Sequence, residues 1–94
     1  MIKSFKHKGL KLLWEKDNGS KLPSSQLRKI AMILEIVDNL EKVPQDLAFF
    51  QSLRPHPLKG NLDGFWSLDV TGNFRIIFRF EEPDAYDLDY LNTH

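Results

Sequence analysis

The sequence contains no cysteine, which excludes disulfide bonds, thiolate zinc sites and thiol nucleophiles. It also lacks a membrane-spanning apolar run, a signal-peptide core, a glycine-rich phosphate loop and the turn motif of a nucleophilic serine. No histidine has a second histidine or an acid at metal-ligand spacing. We therefore expect a cytoplasmic protein without a membrane partner, a metal or another cofactor.

The formal net charge is zero, because 13 basic residues balance 13 acidic ones. This balance argues against a general nucleic-acid-binding protein. The charges are unevenly distributed. Residues 1–30 contain eight basic and two acidic residues, whereas residues 31–94 contain five basic and eleven acidic residues. The basic part could attract a phosphate backbone or an acidic partner. Charge alone favours the other interpretation, ordinary solvated helix faces.

The 94 residues are 41% hydrophobic and 28% charged, which indicates one globular domain spanning residues 1–94. Ile2–Phe5 is predicted to be a short strand. A first helix is predicted from His7 to Lys16, with apolar side chains at helical spacing. A second is expected to start at Pro23-Ser24-Ser25, where serine can cap free N–H groups, and to reach about Leu40. Pro44 prevents its continuation.

From Leu58 onward the hydrophobic period changes from helical to two. Strands are predicted over Phe65–Val70, Phe74–Phe80 and Ala85–Tyr90, joined by tight turns. In the middle strand Phe74, Ile76, Phe78 and Phe80 face one way and Arg75, Ile77 and Arg79 the other. Tyr86, Leu88 and Tyr90 are expected to share one face. The order β-α-α-β-β-β predicts an α+β fold with both helices on one face of an antiparallel sheet.

Arg75 is the strongest single candidate for chemistry, because a guanidinium in mid-sheet needs a partner or a function to offset its desolvation. The pattern leaves two interpretations equally open. Arg75 either binds a phosphate or pairs across strands with Asp69, Asp87 or Asp89. Arg79 shares its face, and a surface ion pair is the favoured interpretation there.

Lys59 lies between Pro57, which stiffens the chain, and Gly60, which frees the following turn. It is therefore expected at a strand edge, although most lysines are simply solvated. The last residue, His94, could be brought near the arginine face if Tyr90 and Leu91 anchor the tail, although chain ends are often disordered. For His56 and His7 ordinary structural or surface roles are favoured.

Several segments together resemble HigB toxins of the RelE/ParE superfamily. They are residues 1–10, His56-Pro57-Leu58-Lys59-Gly60, Gly64-Phe65-Trp66-Ser67, Asn73-Phe74-Arg75-Ile76, Asp84-Ala85-Tyr86 and the terminal His94. The similarity covers the whole chain and is weakest over residues 17–50. It implies a microbial ribonuclease fold and ribosome-dependent cleavage of mRNA in the decoding site, with Lys59, Arg75 and His94 as catalytic residues. We expect Asn92, Arg79 and His56 to contact the RNA.

The resemblance also implies a HigA-like helix-turn-helix antitoxin that binds operator DNA together with the toxin. Relatives often carry an acidic and an aromatic residue before the terminal histidine, where this chain has Asn92 and Thr93. Asn92 cannot act as a carboxylate base, so either Lys59 or His94 would be the base. Two other functions remain open: a ParE-like inhibitor of DNA gyrase with the same fold, and an interaction module without catalytic activity. The proton-transfer residues favour the nuclease.

Overall fold

The computed structural model describes residues 1–93, and His94 lies outside the described residues. Helix α1 spans Lys8–Lys16 and helix α2 spans Leu27–Asn39. Strands β1 (His56–Pro57), β2 (Phe65–Asp69), β3 (Phe74–Glu81) and β4 (Asp84–Asn92) follow. Short 3₁₀ helices cover Ser24–Gln26, Gln45–Leu53 and Gly60–Leu62. The α+β class and both helices are confirmed.

Helix α1 begins directly after His7, whose ring Nδ1 accepts hydrogen bonds from the backbone N–H groups of Gly9 and Leu10 at 3.0 and 3.3 Å. These bonds satisfy two of the donors that every helix start leaves free. The helix ends where Asp17 adopts a left-handed conformation and donates its N–H to the carbonyl of Leu13. The predicted bounds, His7 to Lys16, differ by one residue.

Helix α2 begins differently from the prediction. A 3₁₀ turn over Ser24–Gln26 precedes it, and no side chain caps either start, so the predicted serine cap is absent. The helix ends at Asn39, one residue before the predicted end and well before Pro44. Leu40 turns into an extended conformation and is buried. The helix therefore ends where the backbone turns so that the Leu40 side chain is buried in the core.

The four strands pair antiparallel in the order β1-β2-β3-β4. The turn between β2 and β3 is closed by Thr71, whose Oγ1 accepts hydrogen bonds from the N–H groups of Asn73 and Phe74, both at 3.1 Å. The predicted strands from Phe65 onward match β2, β3 and β4 within two residues at each end. Strand β1 was not predicted, because its two residues show no alternation.

The predicted strand Ile2–Phe5 is present only as two isolated bridges, which join Ile2 to Ala85 and Phe5 to Leu88 in parallel orientation. A regular ladder is interrupted by Asp87, which has a left-handed backbone (φ 58°). The Asp87 N–H donates to the side-chain Oγ of Ser4 at 2.9 Å instead of to a backbone carbonyl. The N-terminal segment therefore follows β4 without forming a regular strand.

Asp87 also produces a bulge between β3 and β4. Ile77 is opposite Asp89, but Arg79 is opposite Tyr86, so two steps on β3 correspond to three on β4. Because of this extra residue, side chains of β4 that precede the bulge point to the opposite face of the sheet from the one that regular alternation predicts. The prediction that Tyr86 shares a face with Leu88 and Tyr90 is therefore wrong: Leu88 lies in the core, and Tyr86 lies beside Arg79.

One face of the sheet packs against both helices, as predicted. Leu10 of α1 and the buried side chains of α2 form a single hydrophobic cluster with the inward side chains of the sheet. The α2 members are Ile30, Ile33, Leu34 and Val37, and the sheet members include Leu68, Ile76, Phe78, Ala85 and Leu88. This packing leaves the opposite face of the sheet free of the helices.

Candidate functional site

The sheet face opposite the helices, here called the outer face, carries most of the residues that could act on a ligand. Directly paired residues of antiparallel strands point to the same side. The register therefore places three cross-strand rows on this face: Asp69–Arg75–Leu91, then His56–Ser67–Ile77–Asp89, then Phe65–Arg79–Tyr86. Arg75 lies in the first row and Arg79 in the third, and the middle row, which contains Ile77, separates them.

Arg75 is half-buried, and its Nε is a buried atom without a hydrogen-bond partner. Within residues 1–93, no ion pair joins Arg75 to Asp69, Asp87 or Asp89. Asp69 pairs instead with Arg54, Asp87 with Arg79, and Asp89 accepts a hydrogen bond from the N–H of Tyr90. Because a buried donor without a partner costs stability, Arg75 is the outer-face cation that can gain most from an anionic ligand.

Arg79 is engaged by several neighbours. It forms ion pairs with Glu81 and with Asp87, the latter at 3.3 Å, and its guanidinium lies 4.7 Å from the ring centroid of Tyr86. The hydrogen bond that Arg79 donates to Glu81 raises the pKa of Arg79, with a further contribution from the hydrogen bond that it donates to Asp87. The expected surface ion pair is confirmed. Two carboxylates neutralise Arg79, so it offers a phosphate less charge than Arg75 does.

Lys59 follows β1 by two residues and is exposed. Its backbone is extended, and Gly60 has a φ of 68°, a conformation that favours glycine. The carbonyl of Lys59 accepts a hydrogen bond from the N–H of Leu62 at 3.4 Å, which closes the following turn. Lys59 therefore emerges from a structured loop at the edge of the sheet. Its convergence with Arg75 and His94 remains a prediction.

His56 and Ser67 are opposite each other in the middle row of the outer face. His56 is exposed, and its Nδ1 lies 2.9 Å from the carbonyl oxygen of Arg54. The Oγ of Ser67 is buried and, like the Nε of Arg75, has no hydrogen-bond partner. The outer face therefore combines two unsatisfied polar atoms with an exposed imidazole.

Tyr90, one of the two residues expected to anchor the C-terminal segment, makes several contacts. The Tyr90 ring stacks on Phe74 at 5.2 Å, meets His7 edge-on at 5.6 Å, and its hydroxyl donates to Gln26. Burial raises the pKa of Tyr90, opposed by the hydrogen bond to Gln26. Thr93 donates both its N–H and its hydroxyl to the carbonyl of Asn73, at 2.7 and 3.1 Å.

Asn92 is opposite Phe74 and therefore points to the helix side of the sheet, not to the outer face. Among the candidate residues that the structure describes, Arg75, Arg79 and His56 share the outer face. Lys59 lies in the loop after β1, and His94 falls outside residues 1–93.

No three His, Asp or Glu side chains in residues 1–93 are grouped so that they could hold a metal ion. Nor does any helix there have the length and hydropathy to cross a membrane.

Comparison with known proteins identifies the family to which the chain belongs. A family model described as the RelE-like toxin of the type II toxin-antitoxin system HigB matches residues 3–94. The chain belongs to this HigB-like toxin family. It is 44% identical over 94 residues to Endoribonuclease HigB of Proteus vulgaris, covering 100% of both chains. It is 34% identical over 95 residues to Toxin HigB-1 of Vibrio cholerae serotype O1, covering 100% of this chain and 98% of the relative.

Among solved structures, the crystal structure of YafQ from E. coli strain BL21(DE3) is 16% identical, with a TM-score of 0.49, covering 94% of this chain and 89% of YafQ. Membership in the HigB-like family confirms the resemblance inferred from the sequence. A HigB-like toxin belongs to a type II toxin-antitoxin system, so an antitoxin partner is implied.

One residue of interest in this HigB-like chain was not identified from the sequence. Arg54 ends the 3₁₀ helix Gln45–Leu53 and lies 3.6 Å from Asp69, measured from Nε to Oδ2. Asp69 is in turn opposite Arg75. The segment around Arg54 has no periodic pattern that would place it beside β2, so the sequence carried no signal for this contact.

Proposed function

We propose that this HigB-like toxin is a ribosome-dependent endoribonuclease that cuts mRNA in the decoding site of the small subunit. The observation that supports this proposal is the half-buried Arg75, whose Nε lacks a partner on a sheet face that the helices leave free. The name of the Proteus vulgaris relative, Endoribonuclease HigB, agrees with a ribonuclease. The reaction would take place in the cytoplasm, where mRNA is translated.

The proposed nucleophile is the 2′-hydroxyl of the RNA itself. Its oxygen attacks the adjacent phosphorus, the bond from phosphorus to the 5′-oxygen breaks, and the products are a 2′,3′-cyclic phosphate and a 5′-hydroxyl. Fixed positive charge stabilises the crowded phosphate in the transition state. Arg75 fits this role, because a planar guanidinium matches the geometry of phosphate oxygens.

Proton transfer is assigned to Lys59 and His94 on the basis of the family resemblance. One of them removes the proton of the 2′-hydroxyl, and the other protonates the departing 5′-oxygen. Asn92 has no ionisable group and cannot be the base; it points to the helix side of the sheet, so the RNA contact expected for it from the sequence is not part of the proposed outer-face site. His56 and Arg79 are proposed as further RNA contacts on the outer face.

Arg75→Ala should lower the single-turnover rate by about 10²-fold or more, the usual loss on removal of a preorganised charge donor. Lys59→Ala should cause a similar loss, since it supplies the second charge or the base. Arg79→Ala is the matched control, because its ion pairs already neutralise it. We expect less than about a fivefold loss for this half-buried ion-pair partner. Rates should be measured on ribosomes programmed with a short mRNA.

Equal losses for Arg75→Ala and Arg79→Ala would contradict the role of Arg75. They would indicate that general positive charge on the outer face matters rather than one positioned guanidinium. Circular dichroism and thermal unfolding of both variants establish that each is folded, so that a loss of rate can be attributed to chemistry.

Cleavage should depend strongly on the ribosome. The net charge is zero, which gives the toxin little general affinity for RNA. The three proposed catalytic side chains include no Phe, Tyr or Trp ring on which a base could stack. Orientation of the mRNA must therefore come from the decoding site, and proximity effects of this kind amount to several kcal/mol. Free mRNA should be cut at least about 10²-fold more slowly than mRNA on the ribosome.

Equal cleavage rates on free and ribosome-bound mRNA would contradict this dependence. In cells, expression of the toxin should arrest growth, and 5′-end mapping of mRNA should show cuts within translated frames. Growth arrest without such cuts would instead support an inhibitor of another target, such as DNA gyrase. We also propose that the antitoxin is a HigA-like helix-turn-helix protein, and that the toxin reaches operator DNA only through it.

A further inference from the structure

We infer that Arg54 is a second phosphate-binding residue of the mRNA site, holding the phosphate next to the scissile one. This inference rests on the proposed ribonuclease function and adds a residue that the sequence did not indicate. Its basis is an arrangement of three charged side chains, in which Asp69 lies between Arg54 and Arg75.

The backbone of Arg54 is fixed in an unusual conformation. Its φ is 52°, in the left-handed region that non-glycine residues seldom adopt. The residue also precedes Pro55, and residues before proline normally prefer an extended backbone. The conformation is held by an N–H bond to the carbonyl of Gln51 at 2.9 Å and by His56, whose Nδ1 lies 2.9 Å from the Arg54 carbonyl. The side chain of Arg54 therefore starts from an ordered point.

The same backbone brings Arg54 to the outer face from outside the sheet. The preceding residue, Leu53, is buried in the hydrophobic core and ties this segment to the body of the protein. Asp69 then provides the contact on the sheet, at 3.6 Å from the Nε of Arg54. Because Asp69 is paired in register with Arg75, both arginines lie beside the same carboxylate.

The ion pair between Arg54 and Asp69 is easily exchanged. The Arg54 side chain is 81% exposed, and the 3.6 Å separation exceeds normal hydrogen-bond length. Exposed pairs of this kind contribute little. In residues 1–93, no hydrogen bond engages the terminal nitrogens of Arg54. A phosphate can therefore bind these nitrogens with two parallel hydrogen bonds at little cost to existing contacts.

The charge balance also favours an anion at this place. Asp69 forms its ion pair with Arg54, and within residues 1–93 no carboxylate forms an ion pair with Arg75, so the positive charge of Arg75 is uncompensated on the strand beside Asp69. Arg79, by contrast, already has two carboxylates and the Tyr86 ring. The mRNA backbone presents one negative charge per nucleotide, so neighbouring phosphates can be bound by Arg75 and Arg54 separately.

The test is single-turnover cleavage across a range of concentrations of programmed ribosomes. Arg54→Asn removes the charge, and asparagine tolerates the left-handed backbone. It should raise the half-saturating concentration about tenfold, the usual effect of losing one charged hydrogen-bonding pair. The limiting rate should change by less than about threefold, because uniform binding affects affinity and not the chemical step. Arg54→Lys should restore part of the affinity, since it keeps charge without the fork.

Arg28→Ala is the control, since Arg28 is an exposed arginine on helix α2 and should leave both parameters unchanged. If the wild-type protein cuts mRNA and Arg54→Asn retains its half-saturating concentration, the inference about Arg54 is overturned while the proposed function stands. Equal losses for Arg54→Asn and Arg54→Lys together with a lowered melting temperature would also overturn it, in favour of a structural role. If the wild-type protein cuts no mRNA, the proposed function itself fails.

Discussion

A 2′-deoxynucleotide placed directly 5′ of the scissile bond is expected to abolish cleavage. The proposed reaction uses the 2′-hydroxyl as nucleophile, and its removal leaves no attacking oxygen on that sugar. The measurement uses a synthetic mRNA with a single deoxy position in the ribosomal decoding site. The control mRNA carries the deoxy sugar one nucleotide further upstream, where cleavage should persist. The products of the unmodified mRNA should be a 2′,3′-cyclic phosphate and a 5′-hydroxyl.

Cleavage that survives the deoxy substitution would mean that water or a protein group is the nucleophile. The roles given to Lys59, Arg75 and His94 would then have to be abandoned. The same assay should show no inhibition of the chemical step by EDTA, provided that the magnesium-dependent integrity of the ribosome is controlled for. Inhibition by EDTA with intact ribosomes would indicate a metal requirement.

Removal of His94 should lower the single-turnover rate by roughly 10²- to 10⁴-fold, the range for loss of a general acid or base. His56→Ala is a suitable comparison, because His56 is exposed on the outer face and has no proposed part in proton transfer. Its loss should be far smaller. A loss below about tenfold for His94→Ala would contradict a role in proton transfer.

The chemical role of His94 can be separated from that of Lys59 with a modified leaving group. An mRNA with sulfur in place of the bridging 5′-oxygen has a leaving group that needs little protonation. If His94 is the acid, this substrate should largely rescue His94→Ala. If His94 is the base, the defect should persist, and the same substrate should instead rescue Lys59→Ala.

The regular parts of the fold could be predicted because their hydrophobic patterns are local. Apolar side chains at helical spacing located both helices, and strict alternation from Phe74 to Phe80 fixed which face of β3 packs on them. Two parts of the sheet edges were not predicted correctly. The strand predicted over Ile2–Phe5 is present only as two isolated bridges, because the neighbouring part of β4 is irregular at Asp87, and His56–Pro57 is too short for any alternation.

In the candidate site, too, only the features that depend on local alternation could be predicted. Alternation placed Arg75 and Arg79 on the outer face, and the expected ion pair of Arg79 is present. The bulge at Asp87 could not be foreseen, and it moved Tyr86 from the core side to the ring contact with Arg79. The proximity of Arg54 to Asp69 joins segments that only the tertiary fold brings together. The convergence of Lys59, Arg75 and His94 remains a prediction.

The two edges of the sheet limit how another chain can attach to it. Residues 85–88 of β4 already share backbone hydrogen bonds with the N-terminal segment. At the opposite edge, β1 has two residues, and Pro55 and Pro57 supply no N–H donors. A strand from an antitoxin, or from a second toxin in an aggregate, would find few free backbone groups at these places. Extension of the sheet along residues 85–88 or along β1 is therefore expected to contribute little to neutralisation by the antitoxin.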